Sequence, residues 1–156
     1  YQNEIKQGQL ETGMMAVKGP GIVVTMYDLH RTRPEGYDYN WDVIHDSDIL
    51  NIINDLNYAG AEAISINEER FISSTGIMCG GPIIIVNDER MGTPFQIKAI
   101  GDKDRLTAQL TAPNTYGSIL LEEGFQFVVE QRDEIIIPAF KGDRTLKYAK
   151  PLEETK

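Results

Sequence analysis

The chain is poor in the residues that staple, anchor or catalyse. It has a single cysteine, Cys79, in 156 residues, which excludes an internal disulfide and any zinc site built on several thiolates. No basic side chain adjoins that thiol in sequence to activate it, so it reads as passive. No apolar run approaches the ~18 residues a membrane-spanning helix needs, and no basic-then-apolar leader is present. Positive charge is short as well: 15 Lys plus Arg stand against 24 Asp plus Glu, a net charge of −9. That balance repels a phosphate backbone and sets nucleic acid aside as a partner. There is no G-x-S-x-G elbow to mark a nucleophile. Gly19-Pro20-Gly21 and Cys79-Gly80-Gly81-Pro82 match neither a P-loop nor a dinucleotide fingerprint, and read as turns. No catalytic residue, metal site or cofactor is assigned. Repeats and low-complexity segments are absent too.

What the chain does have is size for one domain with a real core, since ~150 residues bury roughly two-thirds of their unfolded surface. Its strongest feature is the stretch from Ser47 to Gly60 running directly into 61–67. Ile49, Ile52, Ile53 and Leu56 recur at helical steps, with Leu50 widening the stripe. Asp46 or Ser47 supplies a cap, and Gly60 sits where a left-handed residue would end the helix. The strand that follows alternates Glu62, Ile64 and Ile66 with Ala61, Ala63 and Ser65, and the small side is expected to let the helix approach the sheet closely.

Taken in order, residues 1–17 carry Ile5, Leu10, Met14 and Val17 at a loose helical spacing, stopped by Gly19-Pro20-Gly21. They read as the end of an N-terminal helix or coiled-coil segment, with the globular domain over 18–156. Residues 22–27 are apolar on both parities, as in a central strand. From Leu29 to His45 the chain is polar, aromatic and irregular, a long loop expected to be pinned by Trp41 and the tyrosines. Glu68 to Gly81 reads as a connection in which Arg70, Phe71 and Ile72 extend the preceding strand. Residues 82–87 form an apolar run expected to be buried on both faces, and Asn87-Asp88 turns it into a hairpin with 95–100. Helical pieces follow Asp102 and Pro113. Two closing strands, 125–130 and 134–138, are expected about a tight turn at 131–133, ahead of a charged, partly extended tail. The succession βαββαβ plus one strand predicts an α+β fold: a ferredoxin-like α/β sandwich with a mixed or antiparallel sheet and helices on one face.

Two groupings invite chemistry. Asp28, His30, His45, Asp46 and Asp48 offer imidazole and carboxylate ligands, but their spacing matches no metal motif, and helix capping accounts for the acidic residues. Glu62 shares a parity with Ile64 and Ile66, so an inward carboxylate would need a partner such as Arg70. That pair, near Asn67 and Ser74, predicts a polar notch at the sheet's edge. A water-sized gap there favours a purely structural pair, whereas an enclosed polar pocket favours a ligand site. The candidate binding residues are therefore Glu62, Asn67, Arg70, Ser74 and, on the loop, Trp41.

Gly19 to Ile22, the run 48–56 leading to Ala59-Gly60-Ala61-Glu62-Ala63-Ile64-Ser65-Ile66-Asn67 and Arg70, then Ile85-Val86-Asn87, Pro94 and Ala99-Ile100-Gly101-Asp102, resemble the DUF881 family, the YlxW/YlxX-like proteins of Gram-positive bacteria. The resemblance runs from about Val17 to Pro151, with Glu68-Glu69 standing where the family commonly has a small polar turn. It implies an N-terminal membrane anchor upstream, a coiled coil to which residues 1–17 belong, and a globular domain held outside the cytoplasm. It also implies a non-enzymatic role among cell-envelope or division proteins, with another such protein as partner and homo-oligomerisation through the coiled coil. A second possibility keeps the Glu62/Arg70 notch as a small-ligand-sensing site.

Overall fold

A computed structural model of the chain describes residues 1–153; the last three residues of the expected tail and of the expected domain, 154–156, lie outside the described residues. Within them the chain runs α1 (Gln2–Thr12), β1 (Val17–Tyr27), a short 3₁₀ helix (Tyr39–Asp42), α2 (Asp46–Tyr58), β2 (Ala63–Ile66), β3 (Glu69–Phe71) and β4 (Ile77–Cys79). It continues through β5 (Ile84–Val86), β6 (Glu89–Met91), β7 (Phe95–Ile100), α3 (Lys103–Thr111), α4 (Tyr116–Glu122) and β8 (Gln126–Ile137). The result is an α+β fold with a five-stranded sheet of order β3-β2-β7-β1-β8 and a three-stranded sheet of order β4-β5-β6. Every strand pairing is antiparallel.

The stripe on α2 forms as its spacing dictates: Ile49, Ile52, Ile53 and Leu56 are buried, and Gly60 takes φ 91 just past the helix end. Leu50 is 43% exposed, because one residue is about 100° of helical turn and carries it off the stripe. The helix start is held by Asp48, whose Oδ2 accepts from the His45 amide at 2.7 Å and whose Oδ1 accepts from the Tyr116 hydroxyl at the start of α4. This stripe meets Ile22, Val24, Met26, Ile64, Ile66, Phe95, Ile97 and Phe127 from the large sheet, together with Leu106, Leu110 and Leu120 from α3 and α4. Ile77, Ile84, Val86 and Met91 of the small sheet join the same core. The helices thus sit against the isoleucine side of β2, and the small-residue side faces elsewhere. Ala63 packs in a second cluster with Val23, Ile100, Ile135 and Ile137, against which Val17 rests.

That second cluster exists because β1 and β8 bend. Their register shifts between Gly19 and Gly21, and a Cβ on Gly21 would lie 1.8 Å from the Ala99 carbonyl oxygen, so only glycine admits β7 at this distance. Between those two glycines only Pro20 lies on β1 against Asp133 and Glu134 on β8, so the extra residue of the bulge belongs to β8, and α1 is stopped earlier by Gly13 at φ 82. None of the residues of α1 is buried.

Three further expectations are corrected. Residues 84–86 do not pair with 95–100: the Asn87-Asp88 turn, with φ of 51 and 65, returns the chain as β6 within the small sheet. Lying outside the main sheet, β5 buries Ile84 and Val86 but leaves Ile83 and Ile85 half-buried. An equivalent turn at Asn67-Glu68, φ 45 and 68, folds β3 back alongside β2 where a longer connection was expected. The closing segment is one twelve-residue strand, β8, paired along β1 without a turn at 131–133.

Two substitutions separate packing from polarity in this core. Leu56→Ala, at a side chain with no exposure, is expected to cost about 2–5 kcal/mol in chemical denaturation; a cost near zero would place the stripe wrongly. Ser65 is fully buried and its hydroxyl has no hydrogen-bond partner among the described residues. Ser65→Ala should therefore be neutral or up to about 1 kcal/mol stabilising by the same measurement, since it removes an unsatisfied group without creating another.

Candidate functional site

The loop between β1 and α2 is built around one carboxylate. Asp42 is 2% exposed. Its Oδ2 accepts from Arg33 Nε at 2.8 Å, and its Oδ1 accepts from Arg33 Nη2 at 2.8 Å, Tyr37 Oη at 3.0 Å and Arg31 Nη2 at 3.4 Å. The forked contact is the geometry in which a guanidinium binds a carboxylate most tightly. Hydrogen bonding to Arg33 holds the Asp42 carboxyl below the ordinary carboxylate range against the opposing effect of burial, with Tyr37 adding to the pull. The same bond to Asp42 holds the Arg33 guanidinium above its usual range. Arg33 also lies over the Tyr37 ring at 4.3 Å, and Tyr39 meets Tyr37 edge-on with centroids 5.8 Å apart.

Both ends of the loop are tied as well. The Leu29 amide donates to the Asp42 carbonyl at 2.7 Å, and Asp28 accepts from the Ile44 amide at 2.7 Å and from Thr93 Oγ1 at 3.2 Å. Trp41 was expected to pin the loop and does not: it is 74% exposed, beside Tyr39 at 58%. An ordered loop thus carries two aromatic side chains into solvent. The sequence singles out Trp41 but not Arg31, Arg33, Tyr37 and Asp42. Residues up to eleven positions apart converge on one buried atom, and no local periodicity marks them.

The histidine and acidic residues near α2 serve the backbone. His30 is exposed, His45 Nε2 lies 2.6 Å from the Asn40 carbonyl oxygen, and Asp28 and Asp48 are engaged as described. Among the described residues no group of three or more His, Cys, Asp or Glu side chains is placed to hold a metal ion. Cys79 is exposed; a backbone hydrogen bond at Asp46 draws its thiol down, but burial and the Asp46 and Asp48 carboxylates outweigh it and leave the thiol raised.

The residues expected at the sheet edge divide into three places. Glu62 and Arg70 do come together, lining two half-open clefts of about 330 and 280 Å³ between the end of α1 and the sheet. They make no ion pair. Glu62 precedes β2 and is exposed, whereas Arg70 is 3% exposed and directs Nη1 to the carbonyls of Met15 and Pro138, each at 3.0 Å. Burial lowers the Arg70 pKa, and no carboxylate among the described residues pairs with it. The clefts are neither a water-sized gap nor an enclosed pocket. Glu11 and Arg144 line the larger of them, two residues with no sequence signal of proximity.

Asn67 stitches the fold: its Oδ1 accepts from the Gln96 amide at 2.6 Å and its Nδ2 donates to the Pro94 carbonyl at 3.3 Å. Ser74 lines a separate cleft of about 450 Å³ with Glu69, Met78, Ile85 and Phe140.

With this geometry in hand, comparison with known proteins is informative. A family model described as "Bacterial protein of unknown function (DUF881)" matches residues 4–150. UPF0749 protein YlxW of Bacillus subtilis is 36% identical over 98 residues, covering 63% of this chain and 42% of that protein. UPF0749 protein Rv1825 of Mycobacterium tuberculosis is 29% identical over 145 residues, covering 90% of this chain and 46% of that protein. The chain thus spans less than half the length of these relatives. A crystal structure of an uncharacterized conserved protein from Mycobacterium tuberculosis superposes with a TM-score of 0.76 at 25% identity, covering 96% of this chain and 99% of that one.

Because Trp41 is the sole tryptophan, its fluorescence reports on the loop alone. A carboxyl whose pKa is depressed on folding stabilises above its unfolded value, about 3.9, and loses that contribution as pH falls through the folded value. Acidification below about pH 4 is therefore expected to change Trp41 emission, with Asp42→Asn showing the changed emission already at pH 7. Identical emission in the variant and the native protein at pH 7 would show that the carboxylate does not order the loop.

Proposed function

The chain belongs to the bacterial DUF881 family, and we propose that this domain acts by binding another protein of the cell envelope or division machinery rather than by catalysis. The observation that carries this reading is the ordered loop over 28–45 with its exposed Trp41 and Tyr39. Aromatic side chains on a pre-ordered support give binding surface at small entropic cost, and tryptophan and tyrosine are over-represented among residues that dominate interface energies. The conspicuous polar groups are meanwhile engaged in holding the chain together: Asp42 with its arginines orders the loop, and Arg70 holds two backbone carbonyls.

In this reading the β1-α2-β2-β7-α3/α4-β8 unit is a ferredoxin-like core. β3 is the added edge strand, and the β4-β5-β6 sheet is an insertion. The domain is held outside the cytoplasm by an N-terminal anchor, with α1 continuing an upstream coiled coil through which copies associate. No helix among the described residues is long and apolar enough to cross a membrane. The exposed flank of α1, with no buried residue, suits such an extension.

A second reading keeps the Glu62/Arg70 clefts as a ligand-sensing notch. It is favoured by one observation, a buried guanidinium without a carboxylate partner lining both clefts.

The binding reading is tested in the full-length protein in a Gram-positive envelope, with a photo-crosslinking amino acid at position 41 or at the equally exposed Tyr58, 77%. A discrete adduct is expected from position 41 and not from 58, and Trp41→Ala should weaken binding of the captured partner by roughly 30-fold or more. Equal labelling from both positions, or none from position 41, would refute the loop as the binding surface.

A further inference from the structure

We propose that the outer edge of β8 is a self-association surface and that a second copy of this chain occupies it. β8 is an edge strand of the large sheet, paired on one side with β1. At twelve residues it presents about 40 Å of backbone whose outer N–H and C=O groups invite a further strand. The opposite edge, β3, is only three residues long and carries the tail beside it through Lys141 and Glu69 at 3.7 Å.

The occupant follows from the charges at the middle of β8. Asp133 and Glu134, though exposed, already have partners within the chain, Lys103 at 2.5 Å and Lys18 at 3.8 Å, and Gln131 donates to Thr107 on α3 at 3.0 Å. Glu130 and Arg132 are different: among the described residues their ion pair is with one another, at 2.5 Å, along one exposed face of a single strand. Such a pair contributes little by itself. An acidic or a basic edge would repel its own copy, but this edge alternates in sign about Gln131.

A perpendicular two-fold axis through Gln131 makes the pattern self-complementary. In antiparallel pairing with Gln131 opposite its own copy, Glu130 faces the second copy's Arg132 and Arg132 faces the second copy's Glu130. The four charges then alternate around a square. The isologous symmetry is that of the commonest protein dimers. The sheet that results is continuous across ten strands, and it does not use α1, so it is independent of any coiled coil upstream.

Sedimentation velocity over a concentration series tests this on the present chain. A reversible dimer is expected, weakened at 0.5 M salt because the charges are solvent-facing. Arg132→Glu and Glu130→Arg should each raise the dimer dissociation constant by roughly tenfold or more, and the double variant E130R/R132E should restore it, since the square of alternating charge is rebuilt. Both sites are exposed, so circular dichroism should confirm that all three variants fold. Ile5→Glu on α1 is the control and should leave association unchanged. A monomer at every concentration, a dimer indifferent to the single variants, a double variant that fails to recover, or a dimer lost in Ile5→Glu but not in Arg132→Glu would each overturn the proposal.

Discussion

The guanidinium of Arg70 is the point at which distant parts of the chain are fastened. Its Nη1 holds the carbonyls of Met15, just after α1, and Pro138, just after β8, partners 55 and 68 residues away in sequence. Its own carbonyl accepts from Asn87 Nδ2 at 2.8 Å, tying β3 to the turn of the small sheet. Gly13, beside Arg70, is required by Ile72, since a Cβ there would lie 2.4 Å from the Ile72 Cγ2 atom but only in ordinary contact with Arg70. Burying a cation costs several kcal/mol unless hydrogen bonds replace its water. Two carbonyls on one nitrogen do part of that, and the clefts beside Glu62 keep the rest of the group near solvent.

Fastening the chain ends in this way explains how both faces of the large sheet are covered while α2, α3 and α4 lie on one of them. The isoleucines of β2 face the helices, and the opposite face is closed by the curled ends of β1 and β8 through Val17, Ile135 and Ile137. The curl comes where β8 bulges at Asp133-Glu134 opposite Pro20, next to Gly21, which lies against the Ala99 carbonyl. Small residues at Ala63 and Ser65 then make sense as accommodation for a strand end rather than for a helix.

The parts of this arrangement that were legible in the sequence are those written in local periodicity. The α2 stripe, its glycine stop and the apolar character of β1 follow from spacing alone, as does the capping of α3, where Asp102 accepts from Asp104 and Arg105 amides at 3.0 Å. Expectations failed where tertiary context overrides the local pattern. The run 82–87 is strongly apolar, yet it lies in a small sheet that buries one side. Asn67-Glu68 is a two-residue hairpin turn without glycine, the chemistry by which such turns are most readily recognised. Glu68 reaches Lys98 on β7 at 2.5 Å, a contact visible only once the strands are placed. Of the candidate site, the proximity of Glu62 and Arg70 was legible, but not the carbonyls that take the place of the carboxylate. Asp42 was invisible as an organising residue because its partners share no period with it.

The same contrast connects structure to binding. A loop of this length left without order would lose much of its contact energy to the entropy of fixing it, about 1–2 kcal/mol for each backbone residue immobilised. The Asp42 cluster meets that cost during folding, because Arg33 and Tyr37 bind the carboxylate whether or not a partner is present. Trp41 and Tyr39, adjacent to the cluster but outside it, are thereby held on a fixed support while remaining in water. Charge buried where it orders backbone and aromatic surface exposed where it can be covered suits recognition of a second macromolecule. Here the most tightly engaged carboxylate is sealed beneath the loop it holds.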